Sequence, residues 1–371
     1  MGGGGEGTGA AYSVFSFDHE HRQSPARLSA LLGGKGFSLW LMRRELGLPV
    51  PPGFTIGTDE CQAYLANGLG NALERAIRQE VERIGAHLRK AFGDVSEPLL
   101  VSVRSGAAAS MPGMMDTILN VGMTPAIVES LTRVTGDAIF AQQSYLRFLV
   151  SFARIVQGLE IAESADLPKD EANLRREVAK VRAALIARLG EGALDDPWAQ
   201  LFAAIGAVFA SWNSPRALAY RARAHVQDAD GTAVTVQAMV FGNLDHQSGT
   251  GVAFTRNPST GDPAPCGDFL FRAQGDDVVG GASRTQPLDA FGRAMPEAHG
   301  ELAAAMATLE RYYRDLCDIE FTVERGRLWL LQARVGKRSP LAAPRIAADL
   351  VREGKVGLTH AEAIEIGRAH V

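Results

Sequence analysis

Cysteine is scarce. Cys61, Cys266 and Cys317 are an odd number at wide spacing in 371 residues. That excludes a disulfide framework and a cysteine zinc site, and it suits a reducing cytoplasm. A basic excess is also missing: 38 Lys and Arg stand against 42 Asp and Glu, a net charge of −4. The clustered positive surface of a nucleic-acid binder is therefore not expected. No apolar run reaches the length of a membrane span. The start, MGGGGEGTGAAYSVFSF, lacks the basic lead and long apolar stretch of a secretion signal. Glu6 stands where a myristoylation signal has Ser or Thr, so a lipid anchor is not expected either. Residues 1–23 read as a flexible leader.

What is there is an ordinary globular composition, 46% hydrophobic and 22% charged, in a chain long enough for two or more lobes. Apolar positions at helical spacing run through 24–48 after Ser24-Pro25, and Gly47 ends them. Pro49, Pro51, Pro52 and Gly53 then force an extended segment into a strand at 54–56. Residues 59–92 read as two helices broken near Gly68–Gly70, and LLVSVR (99–104) as a buried strand. From 124 to 212, long periodic runs such as AQQSYLRFLVSFARIVQGL predict a helical block, inserted or separate. After Asn213-Ser214-Pro215 a return to strands is expected, at 232–241, 249–256 and 268–273. A helix over 297–315, a hairpin from Asp318 to Arg334 and two amphipathic helices near 341–352 and 360–369 complete an α+β pattern.

Chemistry concentrates in that hairpin. Strand alternation puts Ile319, Phe321 and Val323 on one face and Asp318, Glu320 and Thr322 on the other. Gly326 supplies the turn, and alternation on the return strand sets Gln332 and Arg334 on a face with Leu328 and Leu330. Carboxylates opposite Gln and Arg suit Mg²⁺ and a phosphate clamped bidentately by arginine; a solvent-facing sheet with incidental ion pairs has the same pattern. Lys35 lies in Gly33-Gly34-Lys35-Gly36 ahead of a helical run, either an anion site or a plain loop. The spacing is not that of a P-loop. Gly249-Thr250-Gly251 either covers a phosphate chain or makes a tight hairpin. Met111, Met114 and Met115 follow Arg104 with Pro112 and Gly113, and a loop of this kind, ending at Asp116, is better explained by something it closes over than by core filling. The eight histidines are scattered, with no metal cluster, and no Gly-x-Ser-x-Gly elbow or Cys/His pairing suggests acyl transfer.

SVRSGAAASMPGMMDT is very similar to the signature of the pyruvate, phosphate dikinase family. KGFSLWLMRRELGLPVPPGFTI precedes it; SPRALAYR, GTAVTVQAMVFGN, SGTGVAFTRNPSTG, AQGDDVVGG and DIEFTVERGRLWLLQARVGKR follow in family order. The resemblance covers residues 28 to 365 and implies an ATP-grasp fold with a helical inserted subdomain. It divides the chain into a first lobe (24–123), the helical insert (124–212), a return to the first lobe (213–247), a second lobe with the nucleotide and metal hairpin (248–341) and a helical linker (342–371).

The resemblance also implies roles. Lys35 and Arg104 match phosphate-contacting positions, and Gly251 matches a glycine loop over the nucleotide. Asp318, Glu320 and Gln332 match the metal group for Mg²⁺, with Arg334 on phosphate. Gln237 and Met239 lie where adenine is held. Arg104 and Arg334 are the candidate catalytic pair. The implied partners are ATP and a phosphohistidine domain, in the same longer chain or a separate one, with no nucleic acid and no membrane; a homodimer is also compatible. The family's histidine motif and its barrel for pyruvate are not among these residues, and Thr359-His360-Ala361 is expected to imitate that motif only superficially. The implied reaction transfers the β,γ-phosphoryl groups of MgATP to histidine, with ATP, phosphate and pyruvate giving AMP, diphosphate and phosphoenolpyruvate overall. A catalytically silent ATP-binding module and a dikinase with another final acceptor are the alternatives.

Overall fold

The computed structural model describes residues 13–107, 117–159, 161, 170–190, 192–224, 231–279 and 285–368. The methionine loop with Asp116, most of the leader, His225 and His370 lie outside them. In chain order, β1 (Val14–Ser16) precedes α1 (Pro25–Trp40), a π-helical turn (Leu41–Glu45), β2 (Gly53–Ile56), α2 (Thr58–Asn67) and α3 (Asn71–Leu88). A short parallel pair, β3 (Ala91–Phe92) and β4 (Pro98–Leu99), leads into β5 (Val101–Gly106) and β6 (Thr117–Val121). The helices α4 (Pro125–Thr135), α5 (Ala138–Gln157), α6 (Glu171–Leu189), α7 (Pro197–Ser211) and α8 (Pro215–Ala224) follow. Next come β7 (Ala233–Ala238), β8 (Gly249–Phe254), β9 (Cys266–Phe271), α9 (Gly275–Val279), β10 (Gln286–Pro287), α10 (Leu288–Ala294) and α11 (Pro296–Tyr313). The chain ends in β11 (Cys317–Glu324), β12 (Arg327–Val335), α12 (Ala342–Glu353) and α13 (His360–Arg368).

Among the described residues two five-stranded sheets carry the fold, ordered β1-β2-β7-β5-β6 and β10-β9-β8-β11-β12. Each neighbouring pair in both sheets is antiparallel. The α+β expectation therefore holds. Residues 215–224 differ from it: they form α8 before the chain turns back to strands. The leader expectation is corrected over its described part, because β1 pairs with β2 at the edge of the first sheet and Phe17 is buried. The sequence reading also passed over β1, β6, α9, β10 and α10, which are short and carry too few residues for a period to declare itself. No helix of the described residues is long and apolar enough to cross a membrane.

Local chemistry sets the helix limits. The side chains of Thr124, Asp137, Asp170 and Asp196 each accept a hydrogen bond from a first-turn N–H of α4, α5, α6 and α7. Gly136 and Gly158 take left-handed conformations that end α4 and α5. The buried faces of α5 and α7 join β5, β6 and β7 in one core, where Phe148, Phe152 and Phe209 meet Val101, Val103 and Ile118. A second core lies under the other sheet, with Phe269 and Phe291 stacked at 4.6 Å between ring centroids and Leu302 and Leu309 of α11 beside them.

Helix α1 touches both sheets. Gly33 breaks it with φ 66° and ψ 165°, and Gly34 N–H then bonds the Ala107 carbonyl at the end of β5. A Cβ at Gly33 would overlap the Gly106 carbonyl oxygen. Further along, the Ser38 hydroxyl donates to the Ala333 carbonyl (2.7 Å) and accepts from Ala333 N–H (3.1 Å) on β12. Leu39 and Met42 sit in the second core.

The C-terminal helices are clamped to the second sheet's side. Arg256, 2% exposed, forms charge-assisted bonds to Glu310 of α11 and Glu353 at the end of α12. Arg314 grips Glu362 of α13 with two bonds of 2.8 and 2.7 Å. Thr359 and Glu362 bond reciprocally as a capping box, so the Thr-His-Ala run begins a helix.

Two predictions arise from these contacts. Gly33→Ala must place a side chain at positive φ against a backbone oxygen, and should lower unfolding free energy by about 3 kcal/mol in denaturant titration; an unchanged midpoint would refute the close approach. Hydrogen bonding to Arg256 holds the Glu353 carboxyl at about 2, below its usual 4.5. A depressed carboxyl contributes stability above the unfolded pKa and loses it as pH falls through the folded one. Glu353→Gln should thus cost about 1–2 kcal/mol at neutral pH, and its difference from the wild type should shrink between pH 4.5 and 2 in acid unfolding curves.

Candidate functional site

A cavity of about 250 Å³ lies between the two sheets. One wall is made by β5, β6 and β7, the other by β8, β11 and β12, and residues 239–242 close one end as the chain passes between the sheets. That crossing is pinned. Met239 N–H bonds the Leu100 carbonyl (2.9 Å), and Phe241 N–H donates to Glu324 Oε1 (2.8 Å) at the end of β11. Burial pushes the Glu324 carboxyl above its usual range, against the bond from Phe241. Ala273 N–H reaches the Gly242 carbonyl (3.1 Å), tying the end of β9 to the same segment.

Arg104 points into this cavity from β5, opposite Glu320 of β11; Nη2 and Oε2 are 3.5 Å apart across the gap between the sheets. Its Nε is buried with no hydrogen-bond partner among the described residues. Two residues further along the second sheet, Arg334 faces Asp318 across the β11–β12 register and donates to Oδ2 through Nε (2.9 Å) and Nη2 (2.7 Å). Gln332 lies opposite Glu320 in the same register.

The hairpin corrects one sequence expectation. Gln332 and Arg334 do not share a face with Leu328 and Leu330. The register shifts between Glu320 and Phe321, so Leu330 pairs with Phe321 while Gln332 pairs with Glu320, and Leu331 is the extra residue. This bulge reverses the alternation. Leu328 and Leu330 stay in the core with Phe321 and Val323, whereas Gln332 and Arg334 join Glu320 and Asp318. Without the bulge the polar pairs would sit on opposite faces. Leu331, displaced, lines the cavity.

Of the residues singled out from sequence, Arg104, Gln237, Met239, Gly251 and Glu320 line the cavity. Lys35, Asp318, Gln332 and Arg334 stand outside that lining. Lys35 falls in the first turn after the Gly33 break, alongside Gly106, where a Cβ would lie 3.5 Å from the lysine Cβ. Gln237 is 1% exposed and its amide donates to the Pro51 carbonyl (3.2 Å). Gly251 sits where β8 is squeezed: a Cβ there would be 2.7 Å from the Asp268 carbonyl oxygen and 2.8 Å from the Phe321 ring.

Among the described residues no three His, Cys, Asp or Glu side chains gather as a metal centre. The donor set on the polar face is smaller, two carboxylates (Asp318, Glu320) and the Gln332 amide oxygen on adjoining strands. That set fits Mg²⁺, which takes one or two carboxylates and fills its remaining positions with water and phosphate oxygens. The three thiols are free, and burial pushes that of Cys317 far above the usual thiol range.

Sequence reasoning missed two contributions. Gln274 and Gly275 line the cavity just beyond β9. Arg147 of α5 donates to both carboxylate oxygens of Asp277 (2.7 and 3.0 Å), bracing that segment from the helical block. The AQGDDVVGG run was the available signal, but its spacing gives no role to any one residue.

Such a cleft, with arginine and carboxylate facing each other from two sheets, suits an anionic ligand held between them. The chain matches the family described as "Pyruvate phosphate dikinase, AMP/ATP-binding domain" over residues 29–87 and 69–296, and it belongs to that family. It is 44% identical over 365 residues to the chloroplastic pyruvate, phosphate dikinase of Flaveria trinervia, covering 94% of this chain and 38% of that protein. To the pyruvate, phosphate dikinase of Rhizobium meliloti (strain 1021) it is 43% identical over 378 residues, covering 94% and 42%. To pyruvate, phosphate dikinase 2 of Zea mays it is 43% identical over 363 residues, covering 92% and 40%. The chain thus spans about two fifths of the length of these relatives.

The squeeze at Gly251 gives a direct test. Gly251→Val should destabilise the chain by about 1–3 kcal/mol and abolish nucleotide binding in calorimetry by displacing the β8 wall. Retained binding at wild-type stability would show that the close contact is not required.

Proposed function

We propose that this chain is the nucleotide-binding part of a pyruvate, phosphate dikinase, with an ATP-grasp fold whose two lobes are built on the two sheets. Residues 24–123 and 213–247 form the first lobe, 124–212 the helical insert, 248–341 the second lobe and 342–371 a helical linker. It binds MgATP in the cleft and presents the β,γ-phosphoryl groups to a histidine on a separate phosphohistidine domain. The complete reaction converts ATP, phosphate and pyruvate to AMP, diphosphate and phosphoenolpyruvate. The observation that carries this reading is the Arg104–Glu320 pair facing across the cleft, in a chain of the AMP/ATP-binding family.

The chemistry asked of the protein is positioning and charge neutralisation, because a transferring phosphoryl group needs little covalent help. Arg104 and Arg334 each hold a carboxylate partner in the free chain. Phosphate oxygens compete for the same guanidinium groups, and the buried Nε of Arg104 offers one more donor. Lys35 adds a cation beside the end of β5. Asp318, Glu320 and Gln332 would hold Mg²⁺, which when bound neutralises phosphate charge. Gly251 lets the β8 backbone approach the phosphate chain, while Met239 and Gln237 mark the adenine end. Water is kept out by closure of the lobes. Three free thiols suit a reducing compartment such as the cytoplasm.

Arg334→Ala and Glu320→Ala should each weaken MgATP binding by about 10- to 100-fold in calorimetry, the loss expected for a charge-assisted contact. Wild-type affinity in both variants would sink the site assignment. Incubated alone with ATP, phosphate and pyruvate, the chain should form negligible pyruvate-dependent AMP; a separately expressed phosphohistidine domain should restore ATP-to-AMP exchange. Acid-labile labelling of His360 would instead make this chain its own acceptor.

A further inference from the structure

Gln274 is 4% exposed and lines the cleft, yet neither its amide nitrogen nor its amide oxygen has a hydrogen-bond partner among the described residues. A buried amide left with both ends unpaired costs free energy, and one facing a ligand cavity is accounted for by a ligand that supplies the partners. Its backbone, by contrast, is fully anchored. Gln274 N–H donates to Asp277 Oδ2 (2.9 Å), the carboxylate that Arg147 grips from the helical block. The preceding residue, Ala273, bonds the Gly242 carbonyl. The side chain is therefore presented from a rigid, twice-tethered turn, which reduces the entropy lost when a ligand engages it.

Position decides which part of a ligand it meets. The tether to Gly242 puts Gln274 beside the segment 239–242 that closes the cleft. The arginine–carboxylate pairs lie further along the strands: Glu320 is opposite Val252, three residues past the Gly249 that Gly242 abuts, and Arg104 is opposite Thr235, three residues before Ala238. An uncharged amide with one donor and one acceptor group is poorly suited to phosphate but complements a base edge or ribose hydroxyls. Resting on the nucleotide reading of the cleft, we infer that Gln274 contacts the nucleoside end of the bound nucleotide through its side-chain amide.

Gln274→Leu keeps most of the volume and removes both polar atoms. It is tested beside the wild type by calorimetry with ATP and with inorganic tripolyphosphate, both in the presence of Mg²⁺. The expected result is roughly tenfold weaker ATP binding, the size of two modest hydrogen bonds, with tripolyphosphate affinity unchanged. The ligand-free variant should melt at or above the wild-type temperature, because an unpaired buried amide has been removed. Equal affinity for ATP in both proteins, equal loss for both ligands, or a ligand-free variant melting well below wild type would each overturn the inference; Gln274→Met repeats the comparison should the leucine variant fail to fold. Wild-type protein that binds ATP no better than tripolyphosphate would fail the nucleotide reading itself, and this inference with it.

Discussion

The overlap that any side chain at Gly33 would make with the Gly106 carbonyl sets how closely α1 lies against the end of β5. Because only glycine takes that conformation without strain there, α1 can break, bond the end of β5 and resume toward β12. One helix then serves as a strut. Its start lies against the first sheet, Ser38 locks it to Ala333 in the second, and Leu39 and Met42 fill the second core. Lys35 is set between those attachments by the break itself, so its position is a backbone property before it is a matter of charge.

Most of the architecture could be read from the sequence because it obeys local periods. The long helices between 124 and 212 declare themselves by apolar spacing and begin at Thr124, Asp137, Asp170 and Asp196. The hairpin declares itself by alternation around Arg325-Gly326. The last helix was equally legible from its amphipathic spacing, and the capping box at Thr359 and Glu362 begins it. What could not be read depends on non-local pairing. A single extra residue at Leu331 is decided by which partner each strand residue meets, and it changes the face of Gln332 and Arg334. Likewise, the setting of Gln274 depends on Gly242 and on Arg147, 32 and 127 positions away in the chain.

The polar face is organised as pairs. Arg104 with Glu320 and Arg334 with Asp318 each neutralise a charge that would otherwise stand near a partly closed cavity. The first pair joins the two sheets and the second lies within one of them. They therefore depend on different parts of the fold: the first pair spans the two sheets that α1 also bridges, whereas the second is held by backbone bonds within the β11–β12 register.

The buried Arg256 has a mechanical consequence. By joining β8's C-terminal flank to Glu310 of α11 and Glu353 of α12, it makes the C-terminal helices part of the second sheet's rigid body, and Arg314 extends the same body to Glu362 of α13. Loss of either arginine would therefore release a helix from the sheet that carries the hairpin, although neither side chain lies in the cleft.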